Sequence, residues 1–433
     1  MDRVSQTVAI ATLGCKTNQF ESAAIEEQLK GAGYTIVPFE EGADLVVVNT
    51  CTVTARTDAQ SRNLIRRARR LNLQSRIIVT GCYAQVEPEA LRGIPGVAMV
   101  IGNDEKKDLL RYLAEERERQ LVATDGLARG RGGVALSLTS FTDRSRAFLQ
   151  IQNGCDAFCS YCIIPYARGS SRSVPFDEVV ERVEHLVGSG YHEVVLTGIH
   201  MGAYGLDLDP QSSLTDLVLA IEERTEIPRL RLGSIEPNEI TDRLIERMAT
   251  SDRICPHLHI PMQSGSDSIL KRMNRHYDAG FFHHLVEKIH RSVPEVAIGV
   301  DVIAGFPGET EEEFDQTWRL IDHLPLSHLH VFPYSRRPGT PAAEMAEQLD
   351  GALIRERAAK LRSLGEAKAR RYAERFVGRV LELVVEGGEE DGWRRGLSRN
   401  YLGVQFRGEA APGDRVWVRV EEWTASGLRG TLI

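Results

Sequence analysis

Apolar positions in the first 140 residues fall into short continuous runs separated by amphipathic stretches. Thr7–Leu13, Asp44–Asn49, Arg76–Thr80 and Val97–Ile101 read as strands buried on both faces, whereas Glu21–Ala32 and Thr57–Leu71 carry apolar residues at helical spacing. Such alternation predicts an α/β domain with a doubly wound parallel sheet. The pattern repeats from Ala147, with strands at Ala147–Gln152, Glu193–Thr197, Arg229–Ser234, His257–Met262, Ala297–Ala304 and His328–Pro333. Helices at Phe176–Gly188, Asn238–Ala249, Phe281–Ser292 and Glu311–Asp322 lie between them. Parallel strands joined by right-handed crossovers predict a partial (β/α)6 barrel whose carboxyl-end loops form the site. A long basic helix, Arg355–Arg375, leads into short β-rich runs at Arg379–Val385, Gly403–Phe406, Arg415–Val420 and Leu428–Leu432, separated by glycine turns. That spacing fits a small antiparallel β-barrel of OB-like type. The expected domains are therefore 1–140, 141–373 and 374–433, with the charged, then glycine-rich stretch Glu115–Gly133 as a linker.

No apolar run in the 433 residues approaches the ~20 needed to cross a bilayer, and the start lacks a signal-peptide core, so a cytoplasmic protein without a membrane partner is expected. No Gly-x-Gly-x-x-Gly follows the first strand, which disfavours a dinucleotide site. The net charge of −8 taken alone argues against a nucleic-acid partner. Local clusters run the other way. Arg62–Arg70 is arginine-dense, either a phosphate-binding face or a solvated one. Trp393, Arg394, Arg395, Arg399, Asn400 and Tyr401 mix rings with cations, suiting either stacked bases or a scaffold barrel.

Seven cysteines, an odd number without a secretion signal, point to metal or redox work. Cys155, Cys159 and Cys162, spaced C-x3-C-x2-C, can place three thiolates on a cubane iron–sulfur cluster and leave one iron open to a ligand. A zinc site or chance spacing are the alternatives, although neither His nor Cys follows soon after Cys162. Cys15, Cys51 and Cys82 each fall just past the carboxyl end of a strand, ends that share one edge of a parallel sheet. They could converge on a second cluster or be three unrelated buried cysteines. Cys255 reads as a buried structural thiol.

The Cys155 motif resembles the radical S-adenosylmethionine (SAM) signature, in which SAM occupies the open iron. Strand ends elsewhere look equipped for such a ligand: Tyr161 beside the cluster loop, Thr197 and Gly198, Ser234 and Glu236, Gln263 and Ser264, and Ile303 and Gly305. Taken over its whole length, the chain resembles the methylthiotransferases of the radical SAM superfamily, whose last domain is a TRAM barrel. Thr12-Leu13-Gly14-Cys15-Lys16-Thr17-Asn18-Gln19, Tyr161-Cys162-Ile163-Ile164-Pro165-Tyr166-Ala167-Arg168-Gly169, Leu196-Thr197-Gly198-Ile199-His200, Ser234-Ile235-Glu236-Pro237 and Phe332-Pro333-Tyr334-Ser335 are similar to the branch acting on N6-threonylcarbamoyladenosine in tRNA. Asp301 departs from a common radical SAM pattern that has glycine there. The other branches act on isopentenyladenosine in tRNA or on a ribosomal-protein aspartate, and a non-catalytic iron–sulfur RNA-binding protein is the reading from another class. The resemblance implies two [4Fe–4S] clusters, SAM as radical source and methyl donor, and sulfur held at the Cys15/Cys51/Cys82 cluster. As partners it implies the tRNA anticodon stem-loop, a reductant protein such as flavodoxin or ferredoxin, and a sulfur donor.

Overall fold

The computed structural model describes residues 6–115, 121–125, 136, 138, 145–390, 392–424 and 427–433. The chain forms two compact units, the first made of Met1–Ser140, Gln152–Val174 and Arg336–Thr340. Its sheet contains β1 (Thr7–Thr12), β2 (Thr35–Ile36), β3 (Leu45–Thr50), β4 (Arg76–Gly81), β5 (Val97–Ile101) and β6 (Leu121–Ala123), in the order β2-β1-β3-β4-β5-β6. Every neighbouring pair is parallel. All six residues of β3 are buried, which is why it opens on the continuous apolar run Leu45–Val48 rather than an alternating one. Val46, Val48, Ile77 and Val79 pack with Ile65 and Ala68 of the helix Ala55–Leu71. The strand order reverses between β1 and β3, the position at which parallel sheets bind ligands. Strands β2 and β6 were not evident from the pattern. β6 falls in the expected linker, the rest of which lies largely outside the described residues. Gln152–Asn153 pairs antiparallel with Arg172–Ser173, closing the base of the Cys155 loop within this unit.

The second unit comprises Phe141–Ile151, Pro175–Ser335 and Pro341–Ile433. β7 (Ala147–Gln150), β8 (Glu193–Thr197) and β9 (Arg229–Leu232) form one parallel group; β10 (His257–His259), β11 (Ala297–Ala304) and β12 (His328–Pro333) form another. Parallel bridges Leu230↔Ile254 and Ser234↔His259 join them into the expected six-strand series. Connecting helices start where capping chemistry allows. Thr310 and Glu313 form a reciprocal capping box ahead of Glu311–His323, whose three leading glutamates also suit the helix dipole.

After the helix Gly351–Glu374 come β13 (Val380–Glu390), β14 (Trp393–Ser398), β15 (Gly403–Arg407), β16 (Arg415–Thr424) and β17 (Gly427–Leu432). They close in the order β13-β14-β15-β17-β16 around Leu383, Val385, Val404, Phe406, Val418, Val420 and Leu428. The barrel is antiparallel except for the β15–β17 pair, which is parallel.

This small barrel docks where the parallel strands begin. Glu193, Arg229 and Arg231, all fully buried, form an ion cluster with Glu193 Oε2 2.7 Å from Arg229 Nη2 and Oε1 2.7 Å from Arg231 Nε. Both arginines also donate to the barrel's carbonyls: Arg229 to Leu397 at 3.0 Å, and Arg231 to Ser398 at 3.0 Å and Arg399 at 2.8 Å. Burial pushes the Glu193 carboxyl up, but Arg231 and Arg229 outweigh it and hold the group at about 2, against 4.5 for an ordinary glutamate. The contribution, about 3 kcal/mol, is complete above pH ~4.5 and disappears as pH falls toward 2. Glu193→Gln should therefore unfold at lower temperature than wild type at neutral pH, with the gap shrinking by about pH 3.5. Circular dichroism melts of both proteins across that range check this, and a gap independent of pH would contradict it.

Candidate metal centre

Cys51 and Cys82 follow β3 and β4 directly and Cys15 comes three residues past the end of β1, as the pattern suggested. Cys15 caps the helix Lys16–Gly31 and is exposed, while Cys51 and Cys82 are 4% and 3% exposed. Gly14, at φ +105°, makes the approach possible: a Cβ there would lie 2.7 Å from Cys51 Cβ and 3.0 Å from its Sγ. Burial, together with the nearby Cys82 and Cys15, pushes the Cys51 thiol up to about 12. A thiol held in its protonated form this way suits a bound cationic cluster, whose iron replaces the proton.

The Cys155 loop is built on a similar glycine. Gly154 has φ +78°, and a Cβ there would come within 1.9 Å of the Ser170 carbonyl oxygen. Cys155 N–H donates to the Gly169 carbonyl at 2.9 Å, and Cys162 N–H to the Cys159 carbonyl at 2.9 Å, so a turn brings the last two cysteines together. Cys159 is buried; Cys155 and Cys162 are partly accessible. All seven cysteines are thiols. Among the described residues, the three-donor groups compact enough for one ion are His259–Asp301–His330 and His283–Glu287–His323, and neither cysteine triad is one of them. The thiols therefore suit a cluster of several metals better than a single zinc.

Arg168, six residues after Cys162, ties the Cys82 site to the base of the Cys155 loop. It is fully buried and donates from Nε to Cys82 Sγ at 3.2 Å, from Nη1 to Glu21 at 2.5 Å and from Nη2 to Asn18 at 2.5 Å. Nη1 also reaches Asn153 at 3.3 Å. Asn18 in turn sits 3.8 Å from Cys15 Sγ. Asn103, just past β5, donates to the Ala167 carbonyl at 2.7 Å and lies 3.9 Å from Cys82 Sγ. Burial pushes the Glu21 carboxyl up, but Arg168 and Lys106, whose Nζ lies 2.5 Å away, hold it below the ordinary range. Arg168 and Asn18 lie inside recognisable motifs, but nothing in the sequence around them marks these roles. Asn103 carried a usable signal, since it too follows the carboxyl end of a parallel strand.

The expected SAM contacts, apart from Tyr161, lie in the second unit, at or just past the carboxyl ends of the barrel strands. Tyr161 is half-buried within the Cys155 loop of the first unit. Thr197 ends β8, followed by the partly accessible Gly198, and the exposed Ser234 bridges to His259. Gln263, at φ +61°, receives Ile303 N–H and donates to the Asp301 carbonyl. Several candidates are already engaged inside the fold. The Glu236 carboxyl, raised by burial against the pull of Arg275, is ion-paired to that arginine. Ser264 Oγ lies 3.2 Å from Thr317 Oγ1, and Gly305 N–H donates to Glu309 at 2.9 Å.

The ring-and-cation segment divides. Arg399 donates to the Ile254 carbonyl at 3.1 Å, Asn400 to Tyr372 Oη at 3.0 Å, and Tyr401 stacks 4.1 Å from His257, so these three serve barrel docking, the scaffold alternative. Trp393 is flanked by Arg407 and Arg429, 4.8 and 4.6 Å from the ring centre to each guanidinium carbon. In the arginine helix, Arg62 is tied to Tyr83 Oη at 2.6 Å and Arg67 to Glu40, while Arg66 and Arg70 are exposed.

Comparison with known proteins gives two family matches, "Uncharacterized protein family UPF0004" over residues 7–102 and the radical SAM superfamily over 149–321. The threonylcarbamoyladenosine tRNA methylthiotransferase MtaB of Bacillus subtilis is 45% identical over 93% of this chain and 90% of its own length. The protein of the same name from Thermotoga maritima is 36% identical over 98% and 96%. A tRNA-2-methylthio-N(6)-dimethylallyladenosine synthase of Desulfitobacterium hafniense is 33% identical over 98% of each chain. In fold, the chain is similar to the radical SAM methyltransferase TsrM of Kitasatospora setae, with a TM-score of 0.56, 18% identity and coverage of 78% of this chain and 77% of that one. No described helix is long and apolar enough to cross a membrane.

Proposed function

The chain belongs to the methylthiotransferase family of radical SAM enzymes, and we propose that it transfers a methylthio group to carbon 2 of N6-threonylcarbamoyladenosine beside the anticodon of tRNA. One observation carries the reading beyond likeness: both cysteine triads belong to a single compact unit, in which Arg168 donates to Cys82 of one triad and to Asn153, two residues before the first cysteine of the other. Cys155, Cys159 and Cys162 would hold one [4Fe–4S] cluster, and Cys15, Cys51 and Cys82 the other. Bound there with SAM, the clusters supply radical chemistry that can replace a hydrogen on adenine carbon 2, which no side-chain base is strong enough to remove as a proton.

The residues supply placement. Arg168 keeps a positive charge and an N–H on Cys82 and ties the helix after Cys162 to Asn18 and Glu21. Asn103 fixes the same helix through the Ala167 carbonyl. Tyr161, Thr197, Gly198, Ser234, Glu236, Gln263, Ser264, Ile303 and Gly305 remain the proposed SAM contacts, with Glu236 and Ser264 shaping the site through their internal bonds. The target nucleotide has to leave its stack, at a cost of a few kcal/mol. Exposed Arg66 and Arg70 are proposed to offset this by meeting phosphates of the anticodon stem-loop. A reductant protein such as flavodoxin or ferredoxin and a sulfur donor complete the partners, in the cytoplasm where tRNA is found. Mass spectrometry of tRNA hydrolysates from a deletion strain tests the substrate. The methylthio form of threonylcarbamoyladenosine should vanish, and loss of the methylthio form of isopentenyladenosine instead would overturn the assignment.

A further inference from the structure

The lumen of the six-strand series departs from the rule of its fold. Inward positions on such strands are ordinarily filled by branched apolar side chains. Here His257 and His259 on β10, Asp301 on β11, and His328 and His330 on β12 are gathered together. Strand register sets them side by side: His259 is opposite Gly299, Gly299 opposite His328, and Asp301 opposite His330. Gly299 makes the room, since a Cβ there would stand 2.0 Å from His328 Nε2. The rings form a column. Tyr401 stacks on His257 at 4.1 Å, His257 lies 6.1 Å from His328, and His330 closes the column 5.4 Å from His328 and 5.0 Å from His259.

Asp301 ties the far end together, with Oδ1 2.9 Å from His259 Nε2 and 3.3 Å from His330 Nδ1. Burial pushes its carboxyl up, but the bonds from His259 and His330 outweigh that and hold it well below the usual range. The column begins deep, at the docked Tyr401, and ends at His330, whose side chain is 56% exposed against 11% for His259. A polar lumen costs stability unless its groups are satisfied, and such departures collect where a ligand will be met. Ile303 and Gly305 continue the strand that carries Asp301, so the open end lies near the proposed SAM contacts of this unit.

We infer that the open end of this column is the binding pocket for the polar N6 substituent of the target nucleoside, with His330 as the side chain that contacts it. The inference rests on the threonylcarbamoyl reading above and specifies where that group is recognised. With Nδ1 turned to Asp301, the Nε2 of His330 is on the opposite side of the ring. From there it accepts from the threonyl hydroxyl or, when protonated, donates to the threonyl carboxylate. A hydrocarbon substituent in the same place would strip water from His330 and Asp301 and return no hydrogen bond, which is the kind of mismatch that polar sites reject strongly.

The test uses the full chain, anaerobically reconstituted, with two tRNAs that carry either threonylcarbamoyladenosine or dimethylallyladenosine beside the anticodon. Wild type should strongly prefer the first. His330→Leu should lower the ratio of kcat/KM values, threonylcarbamoyl over dimethylallyl, by about 100-fold. His330→Asn, which keeps a donor and an acceptor, should recover part of it, and iron content and thermal melting of each variant separate this from misfolding. If His330→Leu does not fold, His330→Asn still decides, because its ratio must lie below wild type. An unchanged ratio in a folded variant overturns the pocket. So does a stoichiometric zinc or manganese ion in wild type that His330→Leu loses, because the cluster would then be a metal site. Wild type inactive on threonylcarbamoyl tRNA would refute the substrate reading itself, and the pocket with it.

Discussion

Arg168→Met should strip the Cys15/Cys51/Cys82 site of metal, so that anaerobically reconstituted protein carries about half the wild-type iron and sulfide, roughly four of eight atoms of each. The reasoning is electrostatic. Arg168 is the cation within 3.2 Å of Cys82 Sγ, inside a pocket where burial and neighbouring thiols already oppose ionisation of Cys51. Without it, the thiolates needed by the cluster lose a charge-assisted donor in a place water does not reach. Removing one partner of a buried ion pair also costs about 3–5 kcal/mol, so the variant should melt at lower temperature. The triple variant Arg168→Met/Glu21→Met/Lys106→Met separates the two effects. It removes Glu21 together with both of its buried cations, should regain much of the stability, and should still lack the second cluster. Arg168→Lys should not rescue, because an ammonium cannot reproduce the planar fork that meets Cys82, Glu21 and Asn18 together. Full iron and sulfide in Arg168→Met would show that the guanidinium is structural only.

The second large effect is a division of labour between the triads. Cys155→Ala should abolish SAM cleavage, measured as 5′-deoxyadenosine after anaerobic incubation with SAM and dithionite, and with it all product. Cys15→Ala should still cleave SAM and yet give no methylthio nucleoside. The asymmetry follows from ligand count: a cubane held by three thiolates has no protein ligand to spare, so loss of one from either triad disables that site alone. Cys15 is the exposed member of its triad and caps a helix rather than filling the core, so alanine there should leave the fold intact. Methylthio product from Cys15→Ala would remove the second triad from the chemistry.

Much of this was legible along the chain because parallel sheets convert separation in sequence into proximity in space. Cys15, Cys51 and Cys82 could be gathered at one edge from the apolar runs alone, and the runs for β8, β11 and β12 match the strands residue for residue. Other features were hidden for identifiable reasons. β14 escaped notice because Arg394, Arg395 and Gly396 interrupt its apolar alternation, and pairing with β13 and β15 decides its conformation. Arg168 looks like one more cation until Glu21, about 150 residues earlier, is seen to be its partner. The Cys155 loop falls inside the expected 141–373 domain, yet its contacts group it with the N-terminal sheet. Tyr401 and Arg399 have the composition of a nucleic-acid surface and are instead used to seat the small barrel. Composition records which groups are present, whereas burial determines what they meet.

The central claim is that each triad holds its own cluster. Iron and acid-labile sulfide, counted anaerobically in wild type and in the two triple alanine variants, test it most directly. The account predicts about eight of each in wild type and about four in either the Cys155/Cys159/Cys162 or the Cys15/Cys51/Cys82 variant. Undiminished iron and sulfide in the Cys15/Cys51/Cys82 variant would contradict it.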